Sequence, residues 1–100
     1  MAELSILYWR DIPAQVVAKA GRRSAKIVLT QRFEQAIDAA AMRAGAASSD
    51  DYLADWRRGA PEPCGDDLEV EARRRADALE AAYDAARLRQ LIAAEGRAPD

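Results

Sequence analysis

Glu3-Leu4-Ser5-Ile6-Leu7-Tyr8-Trp9-Arg10 is the stretch on which the fold class turns. Its β-branched and aromatic side chains suit a pleated backbone better than a helix. Successive strand residues point to opposite faces, so Leu4, Ile6 and Tyr8 share one face and Leu7 and Trp9 the other. Apolar character on both faces predicts a central strand.

Downstream, Asp11-Ile12-Pro13 reads as a turn, because Pro13 fixes its own φ and pushes Ile12 towards an extended backbone. A second strand is expected over residues 14–20. Gly21-Arg22-Arg23 makes the next turn, Gly21 being free to take a positive φ. Residues 24–29 then alternate, with Ala25, Ile27 and Leu29 on one side and Lys26 and Val28 on the other. The pattern predicts a three-stranded antiparallel meander.

Helical spacing begins after Thr30, a natural N-cap, with Phe33, Ala36, Ile37, Ala40, Ala41 and Ala44 along one side and Gly45 as the stop. Ser48 and Asp51 stand at capping-box spacing for a short second helix that carries Tyr52, Leu53 and Trp56 and ends at Gly59. Ala60-Pro61-Glu62-Pro63-Cys64-Gly65 has the composition of a linker. From Leu68 to Glu95 there is no Gly or Pro. Leu68, Ala72, Ala76, Leu79 and Tyr83 form one stripe there, and Leu88 and Ile92 belong to a second. Asp66 or Asp67 caps this helix; Gly96 and Pro99 end it. Glu69 with Arg73 and Glu71 with Arg75 have i,i+4 spacing. The expected architecture is α+β: a three-stranded meander, two short helices and a long C-terminal helix. Its segments are a small domain over 1–59, a linker over 60–66 and an amphipathic helix over 67–96.

Composition narrows the function classes. The chain has 100 residues, enough for one modest domain. Half of them are hydrophobic, but many are alanine, and there are only one Phe, two Trp and three Tyr. Alanine favours helix and contributes little burial, so the core is expected to be thin and a partner useful. With no histidine and the single Cys64, neither an internal disulfide nor a zinc site is expected, and no cofactor is implied. The N-terminus lacks the charged and apolar regions of a secretory signal. No window approaches the roughly 18 apolar residues of a membrane span, so a cytoplasmic location is expected.

Charge is uneven. Residues 1–58 carry nine Lys/Arg against seven Asp/Glu, and residues 59–100 six against ten. Between Ile12 and Phe33 lie Lys19, Arg22, Arg23, Lys26 and Arg32 with no acid. Such a basic hairpin suits nucleic-acid phosphates, but on a small exposed hairpin such charges are more usually a solvated edge that resists aggregation. The pairs Asp50/Asp51 and Asp66/Asp67 are accounted for by helix capping. No nucleophile stands with a base, so no catalytic residue is assigned and the chain is expected not to be an enzyme.

The candidate partner-binding residues are therefore Trp9, expected at the surface, with Arg10, Trp56, Leu79, Tyr83 and Leu88. Arg10 and Asp11 are positioned to pair locally. The C-terminal helix either folds back on its own domain or meets another chain, including a second copy.

The run from Leu7 to Val16, Gly21-Arg22-Arg23, Arg32-Phe33-Glu34-Gln35-Ala36-Ile37-Asp38 and Ala41-Met42-Arg43-Ala44-Gly45 resembles a small bacterial family labelled "virulence factor". The resemblance covers residues 4–58. It implies a small accessory protein, found in alphaproteobacteria beside genes for tetrahydrofolate- and corrinoid-dependent methyl transfer. The partner so implied is an enzyme of one-carbon metabolism. This chain departs from the pattern at Ile27-Val28, where the resemblance leads one to expect a further basic residue.

Overall fold

The computed structural model describes residues 1–46 and 49–98. The chain runs β1 (Glu3–Trp9), β2 (Ile12–Ala20), β3 (Arg23–Val28), α1 (Gln31–Arg43), α2 (Ser49–Ala54), β4 (Trp56–Arg58), β5 (Glu62–Pro63), α3 (Leu68–Ala82) and α4 (Ala85–Ala93). The fold is α+β, and its antiparallel sheet has the order β3-β2-β1-β4, with β5 also paired to β1.

The meander forms as expected, with one shift. The first turn lies at Arg10-Asp11, because Trp9 pairs with Ile12 and Tyr8 with Pro13. The register then slips so that Leu7 faces Gln15, leaving Ala14 as a bulge. A bulge is one of the few places inside a sheet where proline, which has no N–H to donate, is tolerated.

The sheet has two strands more than the sequence suggested. Trp56, expected in a helix, opens β4, and Glu62 and Pro63, expected in a linker, form β5; both lie along the otherwise bare edge of β1. Gly59 N–H donates to Ile6 O (2.8 Å) and Cys64 N–H to Ala2 O (3.1 Å), continuing the ladder on either side. Backbone groups at the edge of a central strand require partners, and that requirement overrides the helical and linker propensities. Pro63 is permitted because its strand is outermost. The Ser48 half of the expected capping box and Pro99 lie outside the described residues.

The expected long C-terminal helix is two helices. Tyr83 leaves helical geometry (φ −102°, ψ 72°), and the Asp84 side chain caps α4 by accepting from Arg87 N–H at 2.8 Å. The guanidinium of Arg32 donates to the carbonyls of Glu80 and Tyr83, satisfying acceptors that a helix end leaves open. The break lets α4 turn onto α1 while α3 lies across β2 and β3.

Leu68, Ala72, Ala76 and Leu79 of α3 are buried in the same core as Leu4 and Ile6 of β1 and Val16 and Ala18 of β2. The alanines allow a close approach of helix to sheet. Leu88 and Leu91 of α4 join that core with Phe33 and Ile37 of α1. The segment 60–66 marks no break in packing: α3 covers its own sheet and α4 packs on α1.

Asp67 caps α3 by accepting from Val70 N–H. Thr30 takes the N-cap position of α1 but its side chain makes no cap bond; its N–H and Oγ1 both donate to the Glu80 carboxylate, at 2.8 Å each. On α3, Arg75 reaches Glu62 (2.8 Å), leaving Glu71 to Arg74 and Arg73 to Asp77 at 3.8 Å each. The i,i+4 pairs expected from spacing give way to a tertiary contact with β5.

Candidate partner-binding surface

The first turn places Trp9 and Arg10 at the junction of β1, α2 and the C-terminal tail. Trp9, expected at the surface, has 0% exposure. Its ring stacks on Tyr52 at 6.0 Å between centroids, and its indole N–H donates to Tyr52 O at 2.9 Å. A large aromatic whose single polar atom finds a backbone acceptor belongs in a core.

Arg10 occupies left-handed backbone (φ +53°) and is fully engaged. Its N–H donates to Asp55 O, its Nε meets Asp55 Oδ2 at 3.1 Å, and its Nη1 donates to Glu95 O at 2.7 Å. Arg57 donates through Nε to Arg10 O and through Nη2 to Asp11 Oδ1, both at 3.0 Å. The expected local pairing of Arg10 with Asp11 is thus replaced by two long-range pairs. Neighbouring opposite charges at a tight turn need not pair with each other when each has a counter-ion of its own across the fold.

Leu79 and Leu88 are buried in the core, so they hold the fold together and present nothing outward. Tyr83 is half-buried, edge-on to Phe33 at 6.1 Å and under the Arg87 guanidinium at 3.9 Å. Trp56 is half-buried, edge-on to Tyr52 at 5.8 Å. Of the six residues expected to meet a partner, Trp56 and Tyr83 line surface grooves, Trp56 the one beside the open sheet face. Lys19, Arg22, Arg23 and Lys26 are all exposed and make no ion pair among the described residues.

The surface that sequence reasoning missed is the sheet face opposite α3. The pairing rows Leu7–Gln15–Val28, Ser5–Val17–Lys26 and Glu3–Lys19–Ser24 lie across it. Leu7, Gln15 and Val17 are half-buried, and Val28 is 66% exposed. Where this face meets the helices, Leu7, Gln15, Val28, Ile37, Tyr52 and Trp56 line a groove of about 300 Å³. Leu53, next to Tyr52 in the chain, is also exposed. The signal was the alternation of β3, which sets Lys26 and Val28 apart from Ala25 and Ile27. What concealed it was the apolar second face of β1, since Trp9 turns under Tyr52 of α2 whereas Leu7 is left half-buried in the groove.

The electrostatics are local. Burial pushes the Tyr52 hydroxyl above its ordinary range and the Asp38 carboxylate adds to it. Burial likewise raises Tyr8. For Glu80, burial acts to raise the carboxyl, but the two Thr30 hydrogen bonds and the Arg32 guanidinium outweigh it and hold it below the usual value. Partial burial raises the Cys64 thiol, reinforced by Glu71, Asp66 and Glu3, which keeps it in the less reactive protonated form. No group of three His, Cys, Asp or Glu placed to hold a metal occurs among the described residues. Among them, no helix is long and apolar enough to cross a membrane.

No curated protein and no solved structure matches this chain. One family model does, over residues 7–92, from the second half of β1 through nearly all of α4, so the likeness extends past residue 58 and includes both C-terminal helices. A match across that much of the sheet and of its helical cover identifies the chain as a member of the family described as "virulence factor".

Proposed function

We propose that the protein is a non-catalytic accessory subunit that docks on a larger protein through the open face of its sheet. The observation that carries this reading is Val28, 66% exposed on a face that α3 does not cover, with half-buried Val17 diagonal to it and half-buried Leu7 across Gln15. Contiguous apolar surface ringed by polar groups marks interaction sites on small domains. Trp56 at the end of the groove supplies the aromatic anchor usual at such sites.

The partner class to test first is an enzyme of tetrahydrofolate- or corrinoid-dependent one-carbon metabolism, which the family resemblance implies. Tagged protein is used to capture partners from native lysate after nuclease treatment, beside the variants Val17→Glu and Trp56→Ala. The reading requires one protein recovered in fixed ratio by the wild type and lost with both variants, their folds being checked by circular dichroism. Recovery unchanged by either variant overturns the assignment to this face.

Nucleic-acid binding is a second reading, favoured by the four exposed and unpaired cations Lys19, Arg22, Arg23 and Lys26. It requires salt-sensitive binding that disappears when all four are changed to Ala. A flat oligonucleotide titration at low salt disposes of it.

A further inference from the structure

β3 is the outer strand on one side of the sheet, and one hydrogen bond fixes which of its backbone groups are free. Leu29 N–H donates to Ala14 O at 3.0 Å. Across β2 and β3, Val28 faces Gln15, Lys26 faces Val17 and Ser24 faces Lys19. In an antiparallel pair, hydrogen-bonded and non-hydrogen-bonded positions alternate. Counting back from Leu29, the N–H and C=O groups of Ile27, Ala25 and Arg23 point to β2. Those of Val28, Lys26 and Ser24 point away from the sheet.

Beside this edge runs a groove of about 860 Å³, with Ala25 and Ile27 on the strand side and Val70, Arg73, Arg74 and Asp77 on α3. Val70 is 46% exposed and turns an apolar side chain to the surface at the groove. On the opposite face, the edge presents Lys26 with Lys19 one strand further in, both exposed.

We propose that this edge receives an extended segment of the protein partner as an added strand, one in which acidic and small apolar residues alternate. The proposal rests on the partner-docking reading above and names the partner's binding element. An added strand has two faces. The face on the α3 side meets Ala25, Ile27 and Val70 and takes apolar residues, while the face beside Lys26 takes carboxylates. Backbone pairing with Ser24, Lys26 and Val28 supplies the affinity, and the alternation sets register. A second copy of this chain is the poorer occupant in the central register, because β3 paired antiparallel with itself about Lys26 sets two lysines opposite each other, an arrangement that destabilises a sheet.

The test uses the full chain and a capped octapeptide of alternating valine and glutamate, with the valine–lysine peptide as control. Solvent exchange of the Ser24, Lys26 and Val28 amides, followed by NMR, slows about tenfold with the glutamate peptide at saturation and is unchanged with the lysine peptide. Lys26→Pro removes an outward N–H without costing a bond to β2, so the fold persists and the protection is lost. Unchanged exchange at the three amides, or equal protection by both peptides, overturns the inference. If partner capture still depends on Val17 and Trp56 while these amides stay unprotected, docking uses the face alone. In that case the inference fails and the accessory-subunit reading stands.

Discussion

Gly96→Ala tests how tightly the C-terminal tail is fastened to the core. Gly96 has φ +87°, and a Cβ built there lies 2.9 Å from Trp9 Cζ3 and 3.3 Å from both Trp9 Cε3 and Arg10 Cδ. The left-handed backbone costs a non-glycine residue about 1–2 kcal/mol, and forcing a methyl against a fully buried ring adds about 1–3 kcal/mol. The tail has one way out, which is to peel off. Peeling gives up the bonds from Asp11 N–H to Gly96 O (2.8 Å), from Ala98 N–H to Asp11 Oδ2 (2.6 Å) and from Arg10 Nη1 to Glu95 O (2.7 Å). At about 1 kcal/mol net for each of these, detachment caps the loss near about 3 kcal/mol. The expected destabilisation is therefore about 2–3 kcal/mol, or about 8–24 °C in Tm for a domain of this size. Gly21→Ala is the internal control: its φ is +62° but nothing lies within 4 Å of the added carbon, so it carries the backbone cost alone, about 1–2 kcal/mol. Urea melts of both variants, followed by far-ultraviolet circular dichroism, give the comparison. If the two variants lose the same stability within about 0.5 kcal/mol, the close approach to Trp9 carries no energy and the reasoning is wrong.

Arg10 gives a second pair of substitutions. Arg10→Ala keeps the positive φ and loses the contacts to Asp55 and Glu95, at a cost of about 2–3 kcal/mol; Arg10→Gly loses the same contacts but relieves the backbone, and should be the milder by up to about 1 kcal/mol in urea melts. Glu80 predicts a pH dependence. Its carboxyl is held below the ordinary glutamate value of 4.5, so its contribution is in place above that value and lost as pH falls through the lower folded one. Stability measured between pH 6 and pH 3 should therefore fall less steeply in Glu80→Gln than in the wild type, and parallel slopes would remove Glu80 from the account.

What the sequence by itself determined was the periodic part of the protein. The alternation in residues 3–29 specified three antiparallel strands, and the 3.6-residue spacing after Thr30 specified α1, because side-chain period is a local property of backbone geometry. Motif runs around Trp9-Arg10-Asp11 and Arg32-Phe33 were enough to suggest the family. Only the tertiary structure decided whatever depended on partners distant in sequence. Trp56-Arg57-Arg58 became a strand because the edge of β1 needed hydrogen bonds. The C-terminal helix broke at Tyr83 because Arg32, some fifty residues away, takes its last carbonyls and Asp84 is free to cap a new start. Trp9 went inside, where the Tyr52 carbonyl accepts its indole N–H, and Val28 stayed exposed and Leu7 half-buried because α3 lies on the other face. Hydrophobic pattern says which residues seek burial, but the fold has more apolar faces than helices to cover them, and which face stays bare is settled by packing alone.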